Sequence, residues 1–167
     1  MRISALLFAV ACLSPLWAQP GNQSDLPRYS STTGDVSLSG AATAFTIQQP
    51  PTNAKTLYLE SAVAYCSVAC TLTQSSDGTA ATSTAGTIVP LPPITVPASA
   101  TTWTASNVGT GTAAGGAVHL PAGGNTAVLD LSRIVLPAGN TNTNYTVSIA
   151  SLTGTVNITF FWKEARQ

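Results

Sequence analysis

The stretch Asn144–Trp162, NYTVSIASLTGTVNITFFW, decides the fold class. Tyr145, Val147 and Ile149 occupy alternate positions, and so do Val156, Ile158, Phe160 and Trp162. A period of two places each set on one face of an extended strand. Thr153-Gly154 supplies turn chemistry between the two sets, so the stretch predicts a β-hairpin with Phe160 and Trp162 in the core.

The same period runs upstream. Val36 and Leu38, then Phe45 and Ile47, alternate with polar neighbours. Lys55–Tyr65 is the clearest strand, with Leu57, Leu59, Val63 and Tyr65 on one face. After Cys66 the apolar positions change parity to Val68, Cys70 and Leu72, which demands a bulge or a corner. Ser75–Gly78 reads as a turn, and Pro90, Pro92, Pro93 and Pro97 exclude helix and central strand from their own segment. Trp103 marks the start of a strand, Asn107–Gly116 a loop, and Ala117–Leu120 and Thr126–Leu131 two short strands. The related segments Leu120–Gly124 (LPAGG) and Leu136–Gly139 (LPAG) suit type I turns. Helical spacing is nowhere sustained. Roughly eight to ten short strands at this density of turns predict an all-β, antiparallel β-sandwich of jelly-roll type.

The N-terminus reads differently. Arg2 precedes an apolar run from Ile3 to Leu13, and Leu16-Trp17-Ala18 closes it on a small residue. That order predicts a signal peptide over residues 1–18, cut before Gln19. Ala9–Cys12 resembles a lipoprotein cleavage box only faintly, and the apolar stretch before Cys12 is short for one. Residues 19–34 carry no period and read as a flexible arm, leaving 35–167 as a single sandwich domain. The 149 residues after the cut suffice for one core. No later window approaches ~20 apolar residues, so no transmembrane segment is expected in the mature chain. The expected location is secreted: extracellular, periplasmic or at the cell surface.

Charged residues make up only 7% of the chain, against roughly 25% in an average domain. The five cations after the cut are scattered, whereas tracking phosphates takes a cluster, so nucleic acid is excluded as a partner. Solubility falls to polar neutral side chains, with Thr alone filling 25 of the mature positions. Cys66 and Cys70 remain after cleavage, an even count that favours a disulfide in an exported chain. Four residues of extended strand would hold their Cα atoms about 13 Å apart, beyond the ~7 Å limit of a disulfide. A bond therefore requires Ser67-Val68-Ala69 to turn, at the place where the parity changes. Two buried thiols are the other reading.

Catalytic chemistry lacks parts. His119 is the only histidine and no Gly-x-Ser-x-Gly elbow accompanies it or Asp130. The acids are isolated in sequence, and two cysteines with one histidine fall short of a structural zinc set. Residues 109–115 miss the dinucleotide spacing. The sequence predicts no enzyme, no catalytic residue, no metal site and no cofactor. Asn22, Asn144 and Asn157 head N-glycosylation sequons in a host that uses them.

Two binding functions remain. The first is a structural or adhesive component of a surface or particle, which self-associates or joins other surface proteins, because uncharged edge strands lack the usual blocks to pairing. The second is a monomeric carbohydrate-binding module, with Tyr58, Trp103 and Tyr145 as the candidate stacking rings for glycans. Tyr58 falls opposite Leu57 and Leu59 and is the best candidate for an exposed ring.

Overall fold

The computed structural model describes residues 26–49, 55–76, 83–92, 96–106, 112–121, 125–138, 143–150 and 152–166. The expectations for the signal segment, for residues 19–25, for Cys12 and Asn22, for the turn at Asp77-Gly78 and for residues 107–111 lie outside them.

In chain order the strands are β1 (Arg28–Thr32), β2 (Val36–Ser39), β3 (Thr43–Gln49), β4 (Lys55–Cys66), β5 (Cys70–Ser76), β6 (Thr84–Ala85) and β7 (Thr87–Pro90). Next come β8 (Thr101–Ser106), β9 (Thr112–Leu120), β10 (Asn125–Asp130), β11 (Val135–Leu136), β12 (Thr143–Ile149) and β13 (Thr153–Arg166). They form two antiparallel sheets, the first ordered β10-β4-β13-β1-β7 and the second β6-β8-β3-β12-β5-β9. In the first, β11 also pairs with β4 and β2 with β13.

With β6 to β8 set aside, the chain alternates between layers from β2 to β5 and again from β9 to β13, where β10 and β11 share the first layer. The quartets β10-β4-β13-β1 and β9-β5-β12-β3 that result have jelly-roll connectivity. The connection between β5 and β9 widens both layers: β7 is added outside β1, and β8 and β6 outside β3. Gly86 lets the chain cross between the layers there. A Cβ on it would lie 2.3 Å from Thr102 Oγ1, whose hydroxyl is bonded to Ser31 Oγ at 2.7 Å.

The C-terminal stretch is not a hairpin. β12 pairs with β3 and β5 in the second sheet, whereas β13 pairs with β4, β1 and β2 in the first. Their two apolar rows face each other across the core, and Tyr145 meets Phe160 edge-to-face at 6.5 Å. Two strands that each bury one face gain more by facing each other than by lying side by side. Thr153 and Gly154 open β13 instead of forming a turn, and a Cβ on Gly154 would stand 2.8 Å from Val68 Cγ2.

Two other boundaries shift. The arm read over residues 19–34 contains β1, which pairs with β13 and β7 and buries Tyr29 and Ser31. Its inward period was masked because Ser31 is polar and satisfies its hydroxyl on Thr102 and on the Thr87 carbonyl. Within β4 the parity changes at Glu60, earlier than Cys66. Trp162 pairs with Leu59 and Phe161 with Ser61, so Glu60 is the extra residue of a β-bulge. Leu57, Leu59, Ala62, Ala64 and Cys66 are therefore buried, and Val63 and Tyr65 face outward.

Cys66 and Cys70 are bonded, with Cα atoms 6.5 Å apart. The bond spans the corner where the chain leaves β4 in the first sheet for β5 in the second. The Ser67 N–H donates to the Thr155 carbonyl at 2.9 Å and the Thr155 N–H to Ser67 Oγ at 2.8 Å, tying the corner to β13. So short a closed loop limits the chain-entropy contribution to about 2 kcal/mol. Reduction is expected to lower Tm by about 4–8 °C without abolishing folding, as read by calorimetry with and without reductant.

Candidate functional site

The outward face of the first sheet gathers apolar side chains from five strands. The register aligns Val128 with Val63 and Thr159, Asp130 with Ser61 and Phe161, Val135 with Tyr58 and Lys163, and Thr126 with Tyr65. Ser30 continues the second of these rows to Val89 on β7. Val128 is 69% exposed, Val89 51% and Val135 46%. Tyr58, Val63, Tyr65 and Phe161 lie half-buried among them.

The bulge in β4 also puts Glu60 on this face. Its carboxylate takes Arg28 Nη2 at 2.8 Å and Lys163 Nζ at 3.0 Å. Partial burial pushes the Glu60 carboxyl up, but the bonds and charges of Lys163 and Arg28 outweigh it and hold the group below its ordinary value. Beside this cluster lies a shallow depression of about 310 Å³ lined by Tyr58, Leu59, Glu60, Ser132, Val135 and Lys163.

The three rings singled out by sequence do not share a surface. Tyr58 lies on this outward face, beside the depression. Trp103 pairs with Thr46 on the outward face of the second sheet, half-buried, its indole N–H donating to Thr101 Oγ1 at 3.2 Å. Tyr145 is in the core at 0% exposure, with its hydroxyl donating to Gln74 Oε1, so it is not a stacking ring. Burial pushes its phenol up. It was misplaced because a tyrosine with a buried acceptor such as Gln74 packs as phenylalanine does.

The remaining polar candidates serve local structure. Next to Trp103, Thr46 and Thr146 pair their hydroxyls at 3.0 Å, both buried. His119 is exposed on β9 with Nδ1 2.8 Å from Thr71 Oγ1. Asp130 accepts the Ser132 N–H at 2.9 Å in the turn after β10, a bond that lowers its pKa. Asn144, the head of one sequon, is buried, whereas Asn157 donates to Asp35 Oδ1 at 3.2 Å on the outward side. Among the described residues no three His, Cys, Asp or Glu side chains come together as metal ligands.

One residue that the sequence reading passed over is Glu164. It continues the inward row Val156, Ile158, Phe160, Trp162 by one more step of two, a signal that was present in the sequence. Its carboxylate is buried at one end of the core and accepts from Ser99 N–H and Oγ, Ala100 N–H, Trp162 Nε1 and Lys55 Nζ, the last at 3.0 Å. Burial alone would raise its pKa, but the bonds from Ser99, Ala100, Lys55 and Trp162 prevail and lower it. Tyr29, stacked on Trp162 at 5.8 Å, is pushed up by burial and by the Glu164 charge.

A folded-state pKa below the unfolded one means stability that is complete above the unfolded value and lost as pH falls through the folded one. Tm is therefore expected to drop as pH falls below about 4.5, the ordinary glutamate range, with Glu60 acting in the same direction. Glu164→Gln presents an NH₂ group to a site built of donors and removes the carboxylate charge that accepts from Lys55 Nζ. It should cost about 3 kcal/mol at pH 7 and flatten the acid limb, measured by denaturant unfolding across pH 3–7. No protein-family model, curated protein or solved structure matches this chain.

Proposed function

We propose that this protein is a secreted, non-enzymatic structural or adhesive component of a surface or particle, and that it self-associates through the outward face of the first sheet. The observation that carries the reading is the strip Tyr58, Val63, Tyr65, Val89, Val128, Val135 and Phe161 on that face. Contiguous exposed apolar surface marks contact sites. The charges beside the strip favour a second copy as the partner. Arg28 and Lys163 offset Glu60 with one positive charge to spare, and Asp130 on the same face balances it, so a like surface meets little repulsion. The disulfide suits an oxidising compartment. Among the described residues no helix is long and apolar enough to cross a membrane.

Val89→Lys combined with Val135→Lys changes two exposed positions and should leave the fold intact. Sedimentation of the exported protein under non-reducing conditions is expected to show a stable oligomer for the natural sequence and a shift toward monomer for the pair. Equal masses for both would remove this face as the contact. A monomer at high concentration in the natural sequence would sink the reading.

The depression beside Tyr58 favours one other reading, a carbohydrate-binding module. An aromatic ring flanked by Glu60, Lys163 and Ser132 combines a stacking surface with hydrogen-bonding groups. On this reading a glycan screen returns a ligand whose binding Tyr58→Ala abolishes and Trp103→Ala, on the opposite face, leaves unchanged.

A further inference from the structure

We propose that two copies pair strand to strand through β10, antiparallel and centred on Val128, which joins their first sheets into one continuous sheet. The proposal rests on the self-association reading and adds an edge contact to the face contact.

Edges of sheets invite pairing, and proteins blunt them with short strands, prolines, bulges or charges. Here β2, β6, β7 and β11 have four residues or fewer, and β7 ends at Pro90, which has no N–H to offer. The longer edge strand β9 is broken by a register shift opposite Gln74/Ser75, with Gly116 at φ 79°. Apart from the charge of Asp130 at its last position, β10 carries none of these devices. Its six residues pair one for one with Ser61–Cys66, without irregularity and without Lys, Arg, Pro or Gly. Among the described residues no strand pairs with its other side.

The backbone of β10 is oriented for a partner. The Leu131 N–H donates to the Glu60 carbonyl at 3.1 Å, in step with the register Leu129–Ala62, Ala127–Ala64 and Asn125–Cys66. Residues bonded to β4 alternate with residues that are not. The odd-numbered residues thus turn their N–H and C=O toward β4, and Thr126, Val128 and Asp130 turn theirs to the open side. All three are exposed.

This edge is complementary to itself. With a twofold axis at Val128, that valine lies opposite its own copy and Thr126 lies opposite Asp130 of the second molecule. Apolar then meets apolar, hydroxyl meets carboxylate, and about six backbone hydrogen bonds form. The two Asp130 carboxylates fall about 13 Å apart along the sheet, beyond the ~8 Å screening length of physiological salt. Joining the edges also extends the apolar strip across both molecules, because Val128 lies on the same outward face as Val63.

Thr126→Pro tests the edge apart from the face. It removes one outward N–H per molecule and leaves every bond to β4 and every apolar residue of the strip in place. Val128→Lys, at a 69% exposed position, is the second variant and keeps the backbone whole. Sedimentation of the exported protein is expected to show association weakened at least tenfold in both variants. Amide exchange followed by NMR should show the Thr126, Val128 and Asp130 N–H groups protected in the assembled natural protein and open in either variant. If the natural protein and both variants assemble equally and these three amides exchange freely, the edge pairing is overturned while self-association stands. If the natural protein is monomeric throughout, both fall together.

Discussion

The inward row of β13 is the constraint on which the rest of the molecule depends. Val156, Ile158, Phe160 and Trp162 are all buried, and the strand that carries them pairs with β4 along one side and with β1 and β2 along the other. Each such side chain contributes on the order of 2–3 kcal/mol by burial, so the row outweighs the disulfide several times over. It also fixes the second layer, because something apolar must cover it. The row of β12 does so, with Tyr145 against Phe160. That demand turns two adjacent alternating segments into facing strands and gives the chain its repeated crossings.

A strand that commits its bulk inward leaves its outward positions free of core duty, and the two sheets use that freedom differently. The second sheet fills its outward central positions with Ala44, Thr46, Thr146 and Ser148, small side chains that are themselves buried. The first sheet carries rings and valines there instead, interrupted by the Arg28–Glu60–Lys163 cluster. The bulge at Glu60 is what makes this cluster. Without the extra residue, Glu60 and Ser61 could not both face outward between Leu59 and Ala62, and the carboxylate would not stand between two cations.

The period-two pattern made strand identity, the sandwich class and the inward placement of Phe160 and Trp162 legible. Sheet membership was not legible, because alternation says that a strand buries one face and is silent about its neighbours. Tyr145–Trp162 therefore read as a hairpin when it is a crossing. The one misplaced ring has a different cause. Tyr145 shares its parity with the inward Val147 and Ile149, so its place was legible and was passed over for its hydroxyl, whereas Trp103 does lie on an outward face. β1 was hidden because its inward Ser31 is satisfied by Thr102, seventy-one residues away. The disulfide was legible in outline, since the requirement for a turn between Cys66 and Cys70 follows from geometry alone. The parity change, by contrast, belongs to Glu60, a position that reads as an ordinary polar residue of a strand.

Charge is spread unevenly over the sandwich. Lys55 and Arg28 lie at the ends of β4 and β1 that meet the C-terminal end of β13, Glu60 lies in the middle of β4 within reach of Arg28, and Lys163 and Glu164 point to opposite sides of the sheet. Five of the chain's twelve charged residues thus gather toward one end, as an outward cluster of two cations on Glu60 and an inward pair of Lys55 with Glu164. The other end of β4 has no such cluster, and there the Cys66–Cys70 bond and the close approach of Gly154 to Val68 hold the corner. Each end is closed by its own chemistry, ionic at one and covalent at the other, about 30 Å apart along a strand of this length. At that separation the two share no partners, so acid and reductant act on independent parts of the same core. On the outward side the strip flanks the Arg28–Glu60–Lys163 cluster at Tyr58, Val135 and Phe161 and runs from there to Val63 and Val128, and the β10 edge ends on the Asp130 carboxylate.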